Sequence, residues 1–456
     1  MAAEGSFKST VRVSITNFLD SGSIVAGSAG LTLWTSHFGL SSFAVGLLGA
    51  LSANAFGAAI GALIGGTLSD KFGRKVIYTY DMLVYMVGTI LVMFAANFPM
   101  LLIGFLITGL AVGAGVPASW TYISETSDDD ARAKNIGVSQ FAWSLGPAVI
   151  YTLAVLLSPL GLFGNRILFG FLTIVAFIAW NLQKGLGESK AWEAEKQHEQ
   201  ASGHKQHPYR TLFSNHTSVK WLFFLIGVYM FWNLVAGAMG FFMPYVYETA
   251  GGISTSQADI LQAVLWILTA LATYFGFAKF GDKVNHRIFF FVGAAMAAAS
   301  WVVLTFVGMQ QSWSLWAFVI LWGISAGIGA QAWYALWATE LFPTQFRAGS
   351  QGVMFFVVRA SAGVWSIIFP TVLSSLGFTV AGICMIVLLI VSLVIGTIWT
   401  PQTKDKSLEE ITLEQYGPEF VDGQATDQDM TDSTSKGSTG VNISGHVSLP
   451  RTGSTK

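Results

Sequence analysis

The chain has 456 residues, of which 53% are hydrophobic and only 11% are charged. A soluble globular protein carries about 25% charged residues, so this composition leaves too little polar surface for a large soluble enzyme. The formal net charge is −1, from 24 basic and 25 acidic residues, and no basic domain is available for binding nucleic acid. The composition therefore predicts an all-α membrane protein without a nucleic-acid partner.

Hydropathy predicts twelve membrane-spanning helices, because each needs roughly 20 apolar residues and such runs recur from Val11 to Thr400. The predicted spans are 12–36, 43–68, 76–97, 99–122, 136–158, 164–184, 220–246, 257–279, 288–308, 314–340, 349–373 and 376–399. A polar segment separates the first six from the last six. The predicted domains are an N-terminal six-helix bundle (1–184), a cytoplasmic linker (185–219), a C-terminal six-helix bundle (220–400) and a disordered cytoplasmic tail (401–456).

Basic residues mark one side of the predicted bundle. With both termini on one side, the loops of that side hold most Lys and Arg residues, whereas the opposite loops hold only Arg166. Since Lys and Arg accumulate in cytoplasmic loops, we expect a multi-pass cell-membrane protein with both termini in the cytoplasm. The single cysteine and the lack of a Walker loop or a Cys–His cluster predict no enzyme activity, no cofactor and no metal site.

Two segments of the chain repeat each other. Both follow the pattern E-x6-R-A-x3-G-V, one starting at Glu125 and the other at Glu340, 215 positions later. A weaker pair, Asp70 and Asp282, is separated by 212 positions. Two pairs at nearly one offset imply two duplicated six-helix halves. Parallel repeats of this kind are typical of transporters whose site lies between the halves.

The loop between the second and third spans reads Gly66-Thr-Leu-Ser-Asp70-Lys71-Phe-Gly73-Arg74-Lys75. It resembles the G-x-x-x-D-[RK]-x-G-R-[RK] loop of the major facilitator superfamily. The sequence P-Q-T-K-D-K-S-L-E-E at 401–410 resembles a segment of the sugar porters in that superfamily. The resemblance implies the major facilitator fold, with twelve helices in two six-helix bundles that work by alternating access.

The same resemblance implies a charged gate at the cytoplasmic helix ends, where ion pairs break and form as the bundles rock. In the second copy of the loop, Asn285 and His286 replace the Gly-Arg pair, so we expect a weaker latch there. The predicted gate residues are Asp70, Arg74, Glu125, Arg132, Asp282, Glu340 and Arg347.

Two ionisable residues fall inside predicted spans, where a charged side chain is costly and normally serves a function. Asp20 lies about 14 Å along the first span and Arg359 about 15 Å into the eleventh. Asp20 matches an aspartate of proton-driven sugar porters, so we expect it to couple transport to protons. Arg359 keeps its charge and needs a partner, which is a substrate carboxylate, Asp20 or backbone carbonyl groups.

Other residues suggest a hydroxylated substrate. Gln140 lies in a stretch that resembles the sugar porters, whose glutamine binds sugar hydroxyls with its donor and acceptor atoms. Phe231 and Trp232 lie where sugar porters have a Gln-Gln pair, with Asn233 next, which weakens an ordinary hexose assignment. Aromatic residues cluster on the tenth span, where they offer a surface for stacking. The predicted substrate-binding residues are Gln140, Trp232, Asn233, Trp333, Tyr334, Trp337 and Arg359.

These features predict a proton-coupled symporter that imports a small polar metabolite, preferably a sugar acid or a related hydroxylated carboxylate. A neutral sugar or polyol (hexose, pentose or inositol) is the main alternative, with Arg359 then held by Asp20. An aromatic or other organic acid is a further alternative, and a transporter-like ligand sensor is a remote one. We expect a monomer whose partners are the substrate, protons and the lipid bilayer.

Overall fold

The computed structural model describes residues 2–127, 132–190, 192–194, 196–197, 208–281, 283–343 and 346–420. These residues form helices joined by short turns, and no strand occurs among them. The predicted all-α architecture is therefore confirmed.

Eight α-helices occur among the described residues of the N-terminal half. A turn at the single residue Gly73, with φ 96°, separates the fourth helix from the fifth, and Asn97 caps the sixth by accepting from the backbone N–H of Met100 at 2.9 Å. The helices are α1 (Ala2–Ala29), α2 (Leu31–Phe38), α3 (Ser42–Leu51), α4 (Phe56–Phe72), α5 (Arg74–Met93), α6 (Phe98–Thr126), α7 (Arg132–Leu157) and α8 (Leu162–Gln183).

The C-terminal half begins after a short helix of the linker, α9 (Pro208–Ser214). A π-helical turn, Thr273–Ala278, continues the second long helix of this half. The helices are α10 (His216–Thr249), α11 (Thr255–Ala272), α12 (His286–Val307), α13 (Ser312–Ile328), α14 (Ala330–Glu340) and α15 (Arg347–Ile398).

Ten helical segments of the described chain are long and apolar enough to cross a membrane. The last of them, Gly349–Ile398, leaves helical geometry at Gly377, with φ 80° and ψ 170°, and so consists of two helices. Helix α1 is not among the ten, but it packs along α6, α7 and α8. Counting α1 and both parts of the last segment gives the predicted twelve, with α1 assigned by its packing rather than by its composition.

The two halves meet along a few pairs of helices. Helices α3 and α4 pack against α15, α7 packs against α11, and α1 packs against α10. These contacts place the middle of α1, α7, α10, α11 and α15 around one central region.

The segment after the last span is partly ordered. Residues Leu408–Tyr416 form a helix, α16, whose N-terminus has a capping box between Ser407 and Glu410. The buried Tyr416 donates its hydroxyl to the carbonyl oxygen of Leu341 at 2.8 Å. The prediction of a disordered tail is therefore wrong for residues 401–420, because the S-x-x-E capping signal and this anchor order them; residues 421–456 lie outside the described chain.

Candidate functional site

Asp20 and Arg359 meet between the two halves. Arg359 Nη2 on α15 lies 3.8 Å from Asp20 Oδ2 on α1, and both side chains are buried. Arg359 Nη1 donates to the carbonyl oxygen of Asn54 at 3.1 Å, and the guanidinium lies 4.8 Å from the ring centroid of Phe355. Trp143 Nε1 donates to Asp20 Oδ2 at 2.9 Å. The protein's own carboxylate and carbonyl groups thus balance the charge of Arg359.

Two adjoining cavities lie beside this pair, and Trp143, Trp232 and Trp266 line both of them. The free space in each is about the size of a single water molecule. Other residues lining the first cavity are Gln140, Ser144, Thr273, Trp322 and Gln331. Other residues lining the second are Ser21, Asn54, Asn233 and Arg359.

Several buried polar atoms in the cavity walls have no hydrogen-bond partner among the described protein atoms. They include both amide atoms of Gln140, Oδ1 of Asn233, and Nε1 of Trp266 and of Trp322. Buried polar groups in proteins are normally paired, so these donors and acceptors are available to a bound molecule. Together they offer both hydrogen-bond donors and acceptors, which is what a hydroxylated ligand requires.

Tryptophan rings form the apolar part of the walls. The rings of Trp143 and Trp266 meet at 5.4 Å with an interplanar angle of 66°, and bring α7 of one half against α11 of the other. Sequence reasoning missed Trp143, Trp266 and Trp322. A usable signal existed for Trp143, since it lies one helical turn beyond Gln140 and so on the same face of α7.

Of the predicted binding residues, the structure brings Gln140, Trp232, Asn233 and Arg359 together with Asp20. It does not bring Trp333, Tyr334 and Trp337 to the cavities. Trp333 is buried against His286 at 4.6 Å and Trp337 at 5.4 Å between ring centroids, which makes both tryptophans part of the helix packing. Tyr334 stacks on Tyr229 at 4.0 Å.

A cluster of charges closes one end of the bundle, here called the gate end. Arg74 Nη2 lies 2.8 Å from Glu125 Oε1, and Arg74 Nη1 lies 3.6 Å from Asp70 Oδ1. Arg347 Nη1, from the C-terminal half, lies 3.9 Å from the same Glu125 oxygen. Glu125 therefore links an arginine of each half.

The remaining predicted gate residues are Glu340, Arg132 and Asp282. Glu340 is buried at the end of α14. Arg132 begins α7, but its side chain is not described, and Asp282 lies outside the described residues. One residue at this end was not predicted: Glu188 accepts the backbone N–H groups of Arg74 at 3.0 Å and Lys75 at 3.1 Å, and so caps α5.

The glycines of the duplicated motif make close contacts across the halves at the gate end. A Cβ on Gly137 would lie 2.6 Å from the Cβ of Ala278, and one on Gly352 would lie 2.8 Å from the carbonyl oxygen of Ala62. Each distance is shorter than a normal contact, so only glycine permits this approach. The two copies of the motif thus supply equivalent contacts, α7 against the end of α11 and α15 against α4.

The opposite end of the bundle is also closed. A Cβ on Gly46 of α3 would lie 2.9 Å from the carbonyl oxygen of Ser366 on α15. The rings of Phe105 and Phe241, one from each half, meet at 6.5 Å. The structure therefore shows an occluded arrangement, with the cavities shut from both ends.

Comparison with known proteins identifies the family to which this architecture belongs. A model of the Major Facilitator Superfamily matches residues 13–364. The Minor myo-inositol transporter IolF of Bacillus subtilis (strain 168) is 45% identical over 419 residues, which cover 90% of this chain and 94% of that protein. The Major myo-inositol transporter IolT of the same organism is 23% identical, with 82% of this chain and 86% of that protein covered.

A solved structure shares the fold. The proton:xylose symporter XylE from E. coli, bound to 6-bromo-6-deoxy-D-glucose, matches with a TM-score of 0.76 and 18% identity, covering 91% of this chain and 100% of that one. The family model covers well over half of the chain, and the gate cluster lies where the loop motif predicted it. The chain belongs to the major facilitator superfamily, and is a multi-pass membrane transporter rather than an enzyme.

Proposed function

We propose that this transporter imports a neutral polyol or sugar together with a proton, and that a cyclitol such as inositol is its preferred substrate class. The observation that carries the proposal is the pairing of Arg359 with Asp20 and with the Asn54 carbonyl. A substrate carboxylate would have to displace Asp20 from the guanidinium. The preference for a sugar acid expected from the sequence has no support, and the neutral alternative replaces it.

The cavity walls suit a ring that carries many hydroxyls. Gln140 and Asn233 present unpaired amide atoms from opposite halves, and Trp266 and Trp322 present unpaired N–H donors. Hydroxyls can donate to the amide oxygens and accept from the N–H groups, while the ring's C–H face packs on tryptophan. The 45% identity to a protein named as a myo-inositol transporter supports this substrate class.

Asp20 is the proposed proton-coupling residue. It is buried at the interface and contacts Arg359 from the other half, so adding a proton removes the charge that holds this pair. Protonation then weakens the contact between α1 and α15 and lets the halves rock. Separation of Arg347 from Glu125 opens the gate end, and loss of the proton restores the pair.

The proposed setting is a cell membrane, with a monomeric protein and both termini in the cytoplasm. The gate end carries Lys71, Lys75 and Lys283, which fits the tendency of basic residues to stay on the cytoplasmic side. The gate would then open to the cytoplasm and release substrate there.

Counterflow in proteoliposomes tests the substrate class. We expect exchange of labelled myo-inositol against internal myo-inositol, weaker exchange of glucose, and no exchange of glucuronate. A pH gradient, acidic outside, drives accumulation of myo-inositol, and Asp20→Asn retains exchange without accumulation. Transport of glucuronate in preference to both neutral compounds would overturn the proposal.

A second variant tests the binding residues. Gln140→Ala removes hydrogen bonds worth about 1 kcal/mol each to a neutral hydroxyl, so KM for myo-inositol rises by roughly 10-fold. Trp337→Phe is the control, because Trp337 packs against Phe290 at 5.8 Å and lines neither cavity. An unchanged KM in Gln140→Ala would remove Gln140 from the binding site.

A further inference from the structure

A second buried carboxylate lies in the N-terminal half, away from the cavities. Asp81 on α5 is 5% exposed. Its Oδ1 accepts from the backbone N–H of Met82 at 2.6 Å, and its Oδ2 has no hydrogen-bond partner among the described residues. A side chain at Gly115 of α6 would run into Oδ2, so the glycine leaves the space that the carboxylate fills.

The surroundings of Asp81 supply no cation. Helix α1 presents Thr16, whose hydroxyl accepts from Gln183 of α8 at 3.1 Å, and α6 presents Gly115. Among the described residues, Asp81 forms no ion pair, and the Arg12 side chain of α1 is exposed. A carboxylate inside a membrane helix without a cation is costly, and such groups normally serve a function.

Titratable groups lie above and below Asp81 on the same buried face of α5. This face, called here the α5 stripe, consists of Arg74, Tyr78, Asp81 and Tyr85, and all four are buried. Spacings of three or four residues keep them on one side of the helix. Along the helix axis, the backbone of Asp81 is about 6 Å from that of Tyr85 and about 4.5 Å from that of Tyr78.

The stripe runs from the backbone of α1 beside Asp20 toward the gate end. At its inner end, the Tyr85 hydroxyl donates to the carbonyl of Leu19 at 3.0 Å, next to Asp20 on α1. The Tyr78 hydroxyl donates to the carbonyl of Ala118 at 2.9 Å, and its ring meets that of Tyr122 of α6 at 5.5 Å. At the outer end, Arg74 contacts Glu125 of α6 and Asp70 of α4.

We propose that Asp81 is an intermediate proton site, through which the proton taken up at Asp20 leaves toward the gate end inside the N-terminal half. This inference rests on the proposed proton-coupled function. Asp81 holds a proton in the occluded state. When Arg347 moves away from Glu125 and water reaches the gate end, Asp81 gives its proton to that side and takes the proton of Asp20 through the Tyr85 hydroxyl or a water. One proton enters and one leaves.

The proton and the substrate follow different routes through the protein. The cavities are lined by residues of both halves, and the substrate passes between them. The α5 stripe faces α1 and α6, and all three helices belong to the N-terminal half. Removing Asp81 therefore changes proton movement and leaves the substrate-binding residues in place.

The test uses the purified full-length protein in proteoliposomes with a pH-sensitive dye inside. Asp81→Asn is expected to slow proton uptake driven by myo-inositol by about 100-fold, the usual contribution of a positioned proton-transfer group, while counterflow stays near the wild-type rate. Asp81→Glu is expected to restore most of the proton uptake. The matched control is Asp259→Asn, since Asp259 is equally buried with one unpaired oxygen but lies on α11, and it keeps proton uptake.

The outcomes separate this inference from the proposed function. Wild-type protein that shows no proton uptake with substrate overturns the proposed proton coupling, and the inference with it. Wild-type uptake that persists in Asp81→Asn overturns the inference alone. Folded Asp81→Asn and Asp81→Glu that both lose counterflow as well would also overturn it, because Asp81 would then be needed for the movement of the halves.

Discussion

The two copies of the duplicated loop, between α4 and α5 and between α11 and α12, differ in how they hold the gate end. In the first copy, Arg74 contacts Glu125 and Asp70, and donates to the carbonyl of Ser69 at 3.1 Å. In the second copy, Asn285 caps α12 by accepting from the backbone N–H of Ile288 at 3.2 Å, and His286 is buried. In the described part of the chain, the first copy forms a charged latch, whereas Asn285 of the second copy stabilises the start of a helix.

Among the described residues of the closed gate, Glu125 meets one arginine from each half. The C-terminal half reaches the latch through Arg347, which belongs to the other duplicated motif, and meets Glu125 at 3.9 Å. Arg287 of the second loop donates instead to the carbonyl of Ile398 at 2.9 Å, at the end of α15.

The largest effect is expected from Glu125→Gln. Arg74 and Arg347 then lose their shared negative partner in a buried site, which costs the closed gate about 3 kcal/mol. A free-energy change of this size makes the open gate roughly 100-fold more populated. Labelling of a cysteine in the cavity wall, Ser144→Cys in a Cys384→Ser background, by an impermeant maleimide added at the gate end reports the opening.

The second copy of the loop provides the control for that experiment. Arg287→Gln removes a cation from the second copy of the loop, and we expect the labelling rate of the cavity cysteine to stay as in the wild type. Equal acceleration by the two substitutions would show that the two copies hold the gate alike, and would contradict the asymmetry.

The gate and the central charges could be found from the sequence for a physical reason. Asp20 and Arg359 interrupt apolar spans, and a charge inside a membrane helix stands out from its neighbours. The loop motif identified Asp70 and Arg74 because a tight turn and an ion pair need specific residues at fixed spacing. The replacement of the Gly-Arg pair by Asn285 and His286 likewise predicts a weaker latch in the second copy.

The aromatic walls of the site could not be found in the same way. The chain has 16 tryptophans, and in a helix that is apolar on all sides the sequence does not show which face points to the cavity. The clustering of Trp333 and Trp337 on one span predicts a binding surface, but in the structure the two rings pack against each other at 5.4 Å. Trp143 and Trp266 line the cavities because their helices, α7 and α11, cross between the halves.

An intermediate effect is expected at Gly137 and Gly352, the equivalent glycines of the duplicated motif, because both make close contacts with the opposite half. Gly137→Ala and Gly352→Ala each force a methyl group against the main chain or a Cβ of the opposite half, which costs about 1–3 kcal/mol. We expect both variants to raise the labelling rate of the cavity cysteine by similar factors, about 10-fold. The equal response contrasts with the unequal response of the two loops.

Gly227→Ala is the matched control for the glycine pair. It is also a helical glycine, but its added methyl meets only the flexible side chain of Ile395, at 3.3 Å. We expect an unchanged labelling rate in this variant. If only one of the two motif glycines responded, the glycine contacts would be as asymmetric as the loops.

The smallest effect is expected from Asn285→Ala. Its side chain caps α12 without joining the gate charges, so the substitution removes one cap at a cost of about 1 kcal/mol. We expect a lower thermal unfolding temperature of the detergent-solubilised protein and an unchanged labelling rate of the cavity cysteine. Asn285→Asp keeps the capping oxygen and should restore the unfolding temperature. Faster labelling in Asn285→Ala would mean that the second copy still holds the gate closed, through the position of α12 rather than through charge.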